Sequence, residues 1–226
     1  RRNRMGRGLF ITGTDTDIGK TYVTALLIKT LRKAGYDVGY YKAAISGAPT
    51  VAESDAGFVN RFAQIREPED MLLSYLYQNA VSPHLAARIE GNPVEKDVIM
   101  SAWERVTAAY PYVTMEGSGG IMCPIRHDEK AVYYLEDIIR WLRLPVLVIA
   151  DAGLGTINRV VTTCEYIRYR NISVKGIILN HWKGGVMAED NVEMIEEITG
   201  MKVLARVKKG DTALDIDPET IISLYE

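Results

Sequence analysis

The stretch Leu9-Phe10-Ile11-Thr12-Gly13-Thr14-Asp15-Thr16-Asp17-Ile18-Gly19-Lys20-Thr21 decides how this chain is read. Its apolar opening predicts a strand over Leu9–Thr12. A helical pattern follows over Thr21–Ala34, with Val23, Leu26, Leu27, Thr30 and Leu31 on one face and Gly35 as a C-terminal stop. The loop between them carries Gly13, Gly19, Lys20 and Thr21 at the fixed positions of a phosphate-binding loop. Five residues separate the two glycines, one more than the common pattern has. Each residue type has a reason. The glycines let successive N–H groups turn inward as an anion nest, and the helix start turns its positive end to the same anion. Lys20 can bridge phosphate oxygens and the Thr21 hydroxyl can ligate Mg²⁺. A glycine-rich turn with a surface lysine is the bland alternative, and the strand before and helix after argue against it.

Further short apolar runs predict strands over Val38–Tyr41, Tyr112–Met115, Val146–Ala150, Gly176–Leu179 and Lys202–Ala205. Several are continuously apolar, as strands covered on both faces must be. Helical spacing predicts helices over Pro93–Ala109, Val132–Leu142, Thr156–Arg170 and Ala188–Thr199, the last closed by Gly200. This alternation reads as an α/β fold, a doubly wound, mostly parallel sheet flanked by helices of the phosphate-loop NTPase type. No repeat, low-complexity tract or linker divides residues 1–226, so a single domain is expected. Arg1-Arg2-Asn3-Arg4 precede Met5 and are expected to be an expression remnant. In such sheets ligands sit at the carboxyl ends of the strands, which directs attention to the loops after Thr12, Tyr41, Met115, Ala150 and Leu179.

Lys and Arg number 27 against 29 Asp and Glu, giving a net charge of −2. That balance lacks the basic footprint needed for duplex nucleic acid or an anionic membrane, so neither is expected as a partner. The two cysteines, Cys123 and Cys164, lie far apart and read as small buried residues rather than a disulfide or zinc pair. With neither an export signal nor a membrane-length apolar run, the expected location is the cytoplasm.

A Mg²⁺–nucleotide site needs hard oxygen ligands. Glu116 and Asp151 follow predicted strands, Asp17 lies within the loop, and Asp55 lies in Glu53-Ser54-Asp55-Ala56, where helix capping is its alternative role. Asp151 reads better as a structural or helix-positioning residue. The glycines of Glu116-Gly117-Ser118-Gly119-Gly120 permit close approach of backbone to ligand. Guanine-specific NTPases carry an N-K-x-D element, whereas Asn180-His181-Trp182-Lys183 stands here. Partitioning ATPases carry an extra lysine early in the loop, where this chain has Thr14 or Asp15.

Taken together, these residues resemble the dethiobiotin synthetase family. The resemblance rests on the phosphate loop, Gly39-Tyr40-Tyr41-Lys42 with Ser46-Gly47, Ser54-Asp55-Ala56, Ser82-Pro83-His84, Glu90-Gly91-Asn92-Pro93-Val94-Glu95, Glu116–Gly120, and Leu154-Gly155-Thr156-Ile157-Asn158. It implies a Mg²⁺-dependent homodimer that converts 7,8-diaminononanoate, CO₂ and ATP to dethiobiotin, ADP and phosphate. The substrate site would lie at the subunit interface. One amino group would be carbamated, the carbamate would take the γ-phosphoryl group, and the second amino group would close the ring.

By the same resemblance Lys20, Lys42, Asp17 and Thr16 are the catalytic candidates. Gly13, Thr14, Asp15, Thr16, Asp17, Ile18, Gly19, Lys20, Thr21 and Glu116 would hold the nucleotide, with Asn180 at the adenine. Thr16, Lys42, Ser46, Gly117 and Ser118 would meet the substrate, and Leu154, Gly155 and Asn158 its carboxylate across the interface. Thr21, Asp55 and Glu116 would surround Mg²⁺. The chain departs from the family at Ala43, commonly proline, at Asp17, commonly glutamate, and at Leu204-Ala205-Arg206-Val207-Lys208, where a glycine and a proline are common. His127 and His181 read as exposed loop residues, and the paired tyrosines 40–41 and 133–134 as core edge. His84 stands between a surface and a site reading. Two rivals remain: a nucleotide-switched partitioning-type ATPase, and a related amidoligase that activates another carboxylate.

Overall fold

The computed structural model describes residues 6–226, so the expected remnant Arg1–Arg4 lies outside the described residues. The first strand, β1 (Arg7–Gly13), shows how the sequence builds the layers: Leu9, Phe10 and Ile11 are all fully buried. Leu9 and Ile11 pack into one core and Phe10 into the other, because successive strand residues face opposite sides of a sheet.

The other strands are β2 (Val38–Ser46), β3 (Leu73–Tyr77), β4 (Tyr112–Gly120), β5 (Pro124–His127), β6 (Val132–Tyr134), β7 (Val146–Asp151), β8 (Val174–Asn180) and β9 (Val203–Arg206). The helices are α1 (Lys20–Lys33), α2 (Asp55–Phe62), α3 (Glu69–Leu72), α4 (Pro83–Ile89), α5 (Lys96–Ala109), α6 (Leu135–Leu142), α7 (Thr156–Tyr169), α8 (Val186–Thr199) and α9 (Pro218–Ile222). Seven strands form one parallel sheet in the order β3-β2-β4-β1-β7-β8-β9. Apolar residues of α1, α2 and α9 cover one face, and those of α4 to α8 cover the other. The chain runs outward from β1 toward β3 on one side and from β7 toward β9 on the other. The order therefore reverses around β1, and a crevice opens at the carboxyl ends of the central strands.

All six predicted strands are present, with β1, β2, β4, β7 and β8 longer than predicted. The helix predicted over Val132–Leu142 begins only at Leu135. Val132-Tyr133-Tyr134, β-branched and aromatic, pairs instead with β5 in an antiparallel hairpin. Tyr134 and Asp137 then form a capping box that starts α6. The helix predicted from Pro93 begins at Lys96. Gly35 and Gly200 take positive φ, 94° and 68°, and stop their helices as expected. No helix among the described residues is long and apolar enough to cross a membrane.

Candidate active site

The loop after β1 is anchored at both ends. Thr14 N–H donates to the Ile149 carbonyl at 3.0 Å, and Asn180 Nδ2 donates to the Ile18 carbonyl at 2.8 Å. Gly19 takes φ 79°, and a Cβ there would lie 2.3 Å from Asn180 Nδ2, so glycine is required on two counts. Asp17 carries the turn at φ 57°. Helix α1 has neither a side-chain cap nor an acidic residue in its first turn, leaving its N-terminal N–H groups free for an anion.

Directly beside this loop, two strands and two helices bring a charged cluster together. Alternation along β2 puts Tyr40 and Lys42 on one face, and Tyr41 on the other. Tyr40 pairs with Thr114 of β4, two residues before Glu116, so Glu116 lies within reach. Lys42 Nζ donates to Asp55 Oδ2 at 2.8 Å and to Glu116 Oε2 at 3.3 Å. Thr21 Oγ1 donates to the same Glu116 oxygen at 2.8 Å, and Tyr40 OH donates to Glu116 Oε1 at 2.8 Å. Lys20 Nζ rests on the Gly119 carbonyl at 3.0 Å.

The two lysines differ electrostatically. Burial, with the nearby Lys42 charge, lowers the Lys20 pKa to about 8 against the opposing pull of Glu116 and Asp55. Burial also opposes the Lys42 charge, but Glu116 and Asp55 outweigh it and raise that pKa. Asp55 is likewise raised by burial, yet Lys42 more than reverses this and holds its carboxyl below the usual range. The α2 cap is Ser54, which accepts from Gly57 N–H, so the Asp55 carboxylate is free to face the lysine.

Asp15, Thr16, Asp17, Lys20, Thr21, Lys42, Asp55, Glu116 and Gly119 line a cavity of about 260 Å³. A second cavity of about 580 Å³ adjoins it, sharing Thr16, Asp17, Lys42, Asp55 and Gly119. Its remaining wall is mostly apolar, with Ala44, Ile45, Ala80, Val81 and Pro83, and it also takes in Ser46, Ser82 and Ser118. The Ser46 hydroxyl is buried there without a partner, whereas Ser118 Oγ donates to the Ala44 carbonyl at 2.9 Å. Cys123, expected to be buried, is only partly so and lines this cavity, and burial raises its thiol pKa.

The remaining candidates fall elsewhere. Gly117 is buried against β1, where a Cβ would meet the Phe10 ring at 2.8 Å, and it lines neither cavity. Leu154, 83% exposed, sits with Gly155 and Asn158 at the start of α7, outside both cavities. Asp151 makes structural contacts just before α7: it accepts from Gly153 N–H and pairs with the exposed His181 at 2.5 Å. His84 Nδ1 lies 3.1 Å from Ser82 Oγ. Sequence reading missed Tyr40, taken as core edge. Its two-residue spacing from Lys42 on a strand was the available signal.

No group of three or more His, Cys, Asp or Glu able to hold a metal occurs among the described residues. Two carboxylates and a hydroxyl beside a phosphate loop are nevertheless a fitting set for Mg²⁺. That ion is commonly held by one or two carboxylates together with the phosphates of its substrate.

A parallel sheet reversing at β1, a glycine loop opening α1 and this carboxylate–lysine cluster define a phosphate-loop NTPase. A family model described as an AAA domain matches residues 7–213. An ATP-dependent dethiobiotin synthetase BioD of Brachyspira hyodysenteriae is 48% identical over 223 residues, covering 98% of this chain and 100% of its own. Proteins of the same name from Clostridium kluyveri (41% identical; 96% of this chain, 92% of theirs) and Clostridium novyi (44%; 91% and 88%) are similar in extent. The chain belongs to the ATP-dependent dethiobiotin synthetase family. Among solved structures it resembles in fold the MinC:MinD cell division protein complex of Aquifex aeolicus, at TM-score 0.55 and 16% identity over 90% of this chain and 82% of that one. A ParA family ATPase from Chlorobium tepidum is similar at TM-score 0.53 and 15% identity over 96% and 88%.

Proposed function

We propose that this protein is an ATP-dependent ligase that closes the ring of dethiobiotin from 7,8-diaminononanoate, CO₂ and ATP, releasing ADP and phosphate. The observation that carries this reading is the meeting of the two cavities at Lys42, Asp55 and Gly119. A triphosphate in the first and a diamine in the second would bring their reacting ends together at a buried cation.

The chemistry follows from the charges. CO₂ adds to one amino group as a carbamate, whose oxygen attacks the γ-phosphorus and releases ADP. The second amino group then attacks the carbonyl carbon of the mixed anhydride, and phosphate leaves. Negative charge builds first on the carbamate and transferring phosphoryl group, then on the departing phosphate. Lys20 and Lys42 are fixed cations where that charge develops. Lys20, released from the Gly119 carbonyl, would hold phosphate oxygens with the loop N–H groups of Gly13 to Thr21. Asn180, bonded to the loop at Ile18, would meet the adenine. Thr21, Asp55 and Glu116 would hold Mg²⁺, which supplies charge neutralisation on the phosphates. Thr16 and Asp17 border both cavities and would meet the amine end, and the unpartnered Ser46 hydroxyl would bond the carbamate. Ser118 shares that wall.

Leu154, Gly155 and Asn158 lie outside both cavities, at the start of a fourteen-residue helix without a side-chain cap. They would receive the substrate carboxylate of a partner subunit in a homodimer. A single-domain, cytoplasmic enzyme completes the reading.

Labelled bicarbonate tests the mechanism. With ¹⁸O-bicarbonate in rapid assays, one ¹⁸O should appear in the released phosphate. Dethiobiotin formed with unlabelled phosphate would overturn phosphoryl transfer to the carbamate.

A further inference from the structure

We propose that Tyr40 is a positioning residue that turns one oxygen of Glu116 away from the site and so favours Mg²⁺ over larger divalent cations. The inference rests on the reading of Glu116 as a Mg²⁺ ligand. Glu116 has two oxygens with different partners. Oε2 faces the cavity and accepts from Thr21 and Lys42. Oε1 accepts only the Tyr40 phenol, at 2.8 Å.

The phenol cannot drift. Tyr40 is fully buried, in the same core as α1 and α2. Its backbone N–H, which lies before the β2–β3 pairing begins at Lys42 and Leu73, is held by Glu67 Oε2 at 3.0 Å. A close-packed ring on a pinned strand fixes the carboxylate plane. Glu116 can then offer a cation only Oε2. Mg²⁺ is small, needs octahedral geometry and binds carboxylates sparingly. Ca²⁺ is larger and takes carboxylates in bidentate fashion. Holding back Oε1 therefore removes the mode that would reward the larger ion.

The adjacent Tyr41 provides the control. It is equally buried, its OH lies 2.6 Å from Ser74 Oγ, and it points to the opposite face of the sheet. Tyr40→Phe and Tyr41→Phe each delete one buried phenol while keeping the ring. Mn²⁺ bound in the presence of ADP is followed by electron paramagnetic resonance and displaced with Mg²⁺ or with Ca²⁺, without turnover. Tyr40→Phe should reduce the Mg²⁺-over-Ca²⁺ preference by about tenfold, as bidentate binding becomes available. Tyr41→Phe should leave that ratio within about twofold of wild type, since it touches no group of the site.

An unchanged ratio in Tyr40→Phe overturns the inference, and so does an equal change in both variants. The wild-type chain is a test even if a variant fails to fold: displacement of Mn²⁺ by Ca²⁺ as readily as by Mg²⁺ also overturns it. A wild-type protein that binds ADP but no Mn²⁺ overturns the reading of Glu116 as a metal ligand, and this inference with it.

Discussion

Replacing Lys42 by Met removes the cation between Glu116 and Asp55 while keeping an unbranched chain of similar length. The Glu116 side chain is fully buried and that of Lys42 is 6% exposed, so one partner is left as an uncompensated buried charge. Breaking a buried pair in this way costs about 3–5 kcal/mol. The lower end applies, because the Asp55 side chain is 49% exposed and Thr21 and Tyr40 still donate to Glu116. At about 2–4 °C per kcal/mol for a chain of this size, the melting temperature should fall by about 6–12 °C. Adding Mg²⁺ with ADP should raise it more in the variant than in wild type, since a divalent cation replaces lost positive charge. Turnover should nonetheless fall at least about 10²-fold, because the carbamate and phosphoryl group lose a fixed cation. Thermal melts with and without Mg·ADP, beside steady-state kinetics, measure all three. A melting temperature within about 2 °C of wild type, or a turnover loss below about tenfold, would refute the role assigned to Lys42.

Lys20→Ala should lower turnover by at least about 10²-fold, with the melting temperature little changed because its one hydrogen bond is to Gly119; unaltered turnover would remove the phosphate-loop argument. Asn158→Ala should weaken 7,8-diaminononanoate binding more than ATP binding in titration calorimetry, and equal weakening would contradict the carboxylate role. Burial raises Glu67 from its ordinary 4.5 to about 8, so the folded state favours its neutral form. Its contribution to stability is complete below pH 4.5 and is lost as pH rises through about 8. Glu67→Gln should flatten the fall in melting temperature between those limits, and an unchanged slope would refute the assignment.

The central architecture was legible because β1, β7 and β8 are apolar on both faces, which few other structures demand, and because Gly13–Thr21 announces its chemistry locally. The edge was not. In β3, Leu73-Ser74-Tyr75-Leu76-Tyr77 mixes polar and aromatic residues, and its place beside β2 is decided by long-range pairing. The β5–β6 hairpin was hidden because Val132–Tyr134 adjoins a true helix, so one apolar pattern ran into the next. Glu116 and Lys42 were legible as candidates, but not as neighbours: they lie 74 positions apart, and only the β2–β4 register joins them. Tyr40 and Glu67 escaped because a tyrosine in a strand or a glutamate in a loop before a helix has many ordinary uses, and only the fold shows which groups they face.

The most direct test of the account is phosphate release from Mg·ATP and bicarbonate, with and without 7,8-diaminononanoate, reading the organic product by mass. Release should depend on the diamine and yield a product heavier by one carbonyl in place of two hydrogens. Release indifferent to the diamine, with no such product, would contradict the ligase and return the site to a simple nucleotide hydrolase.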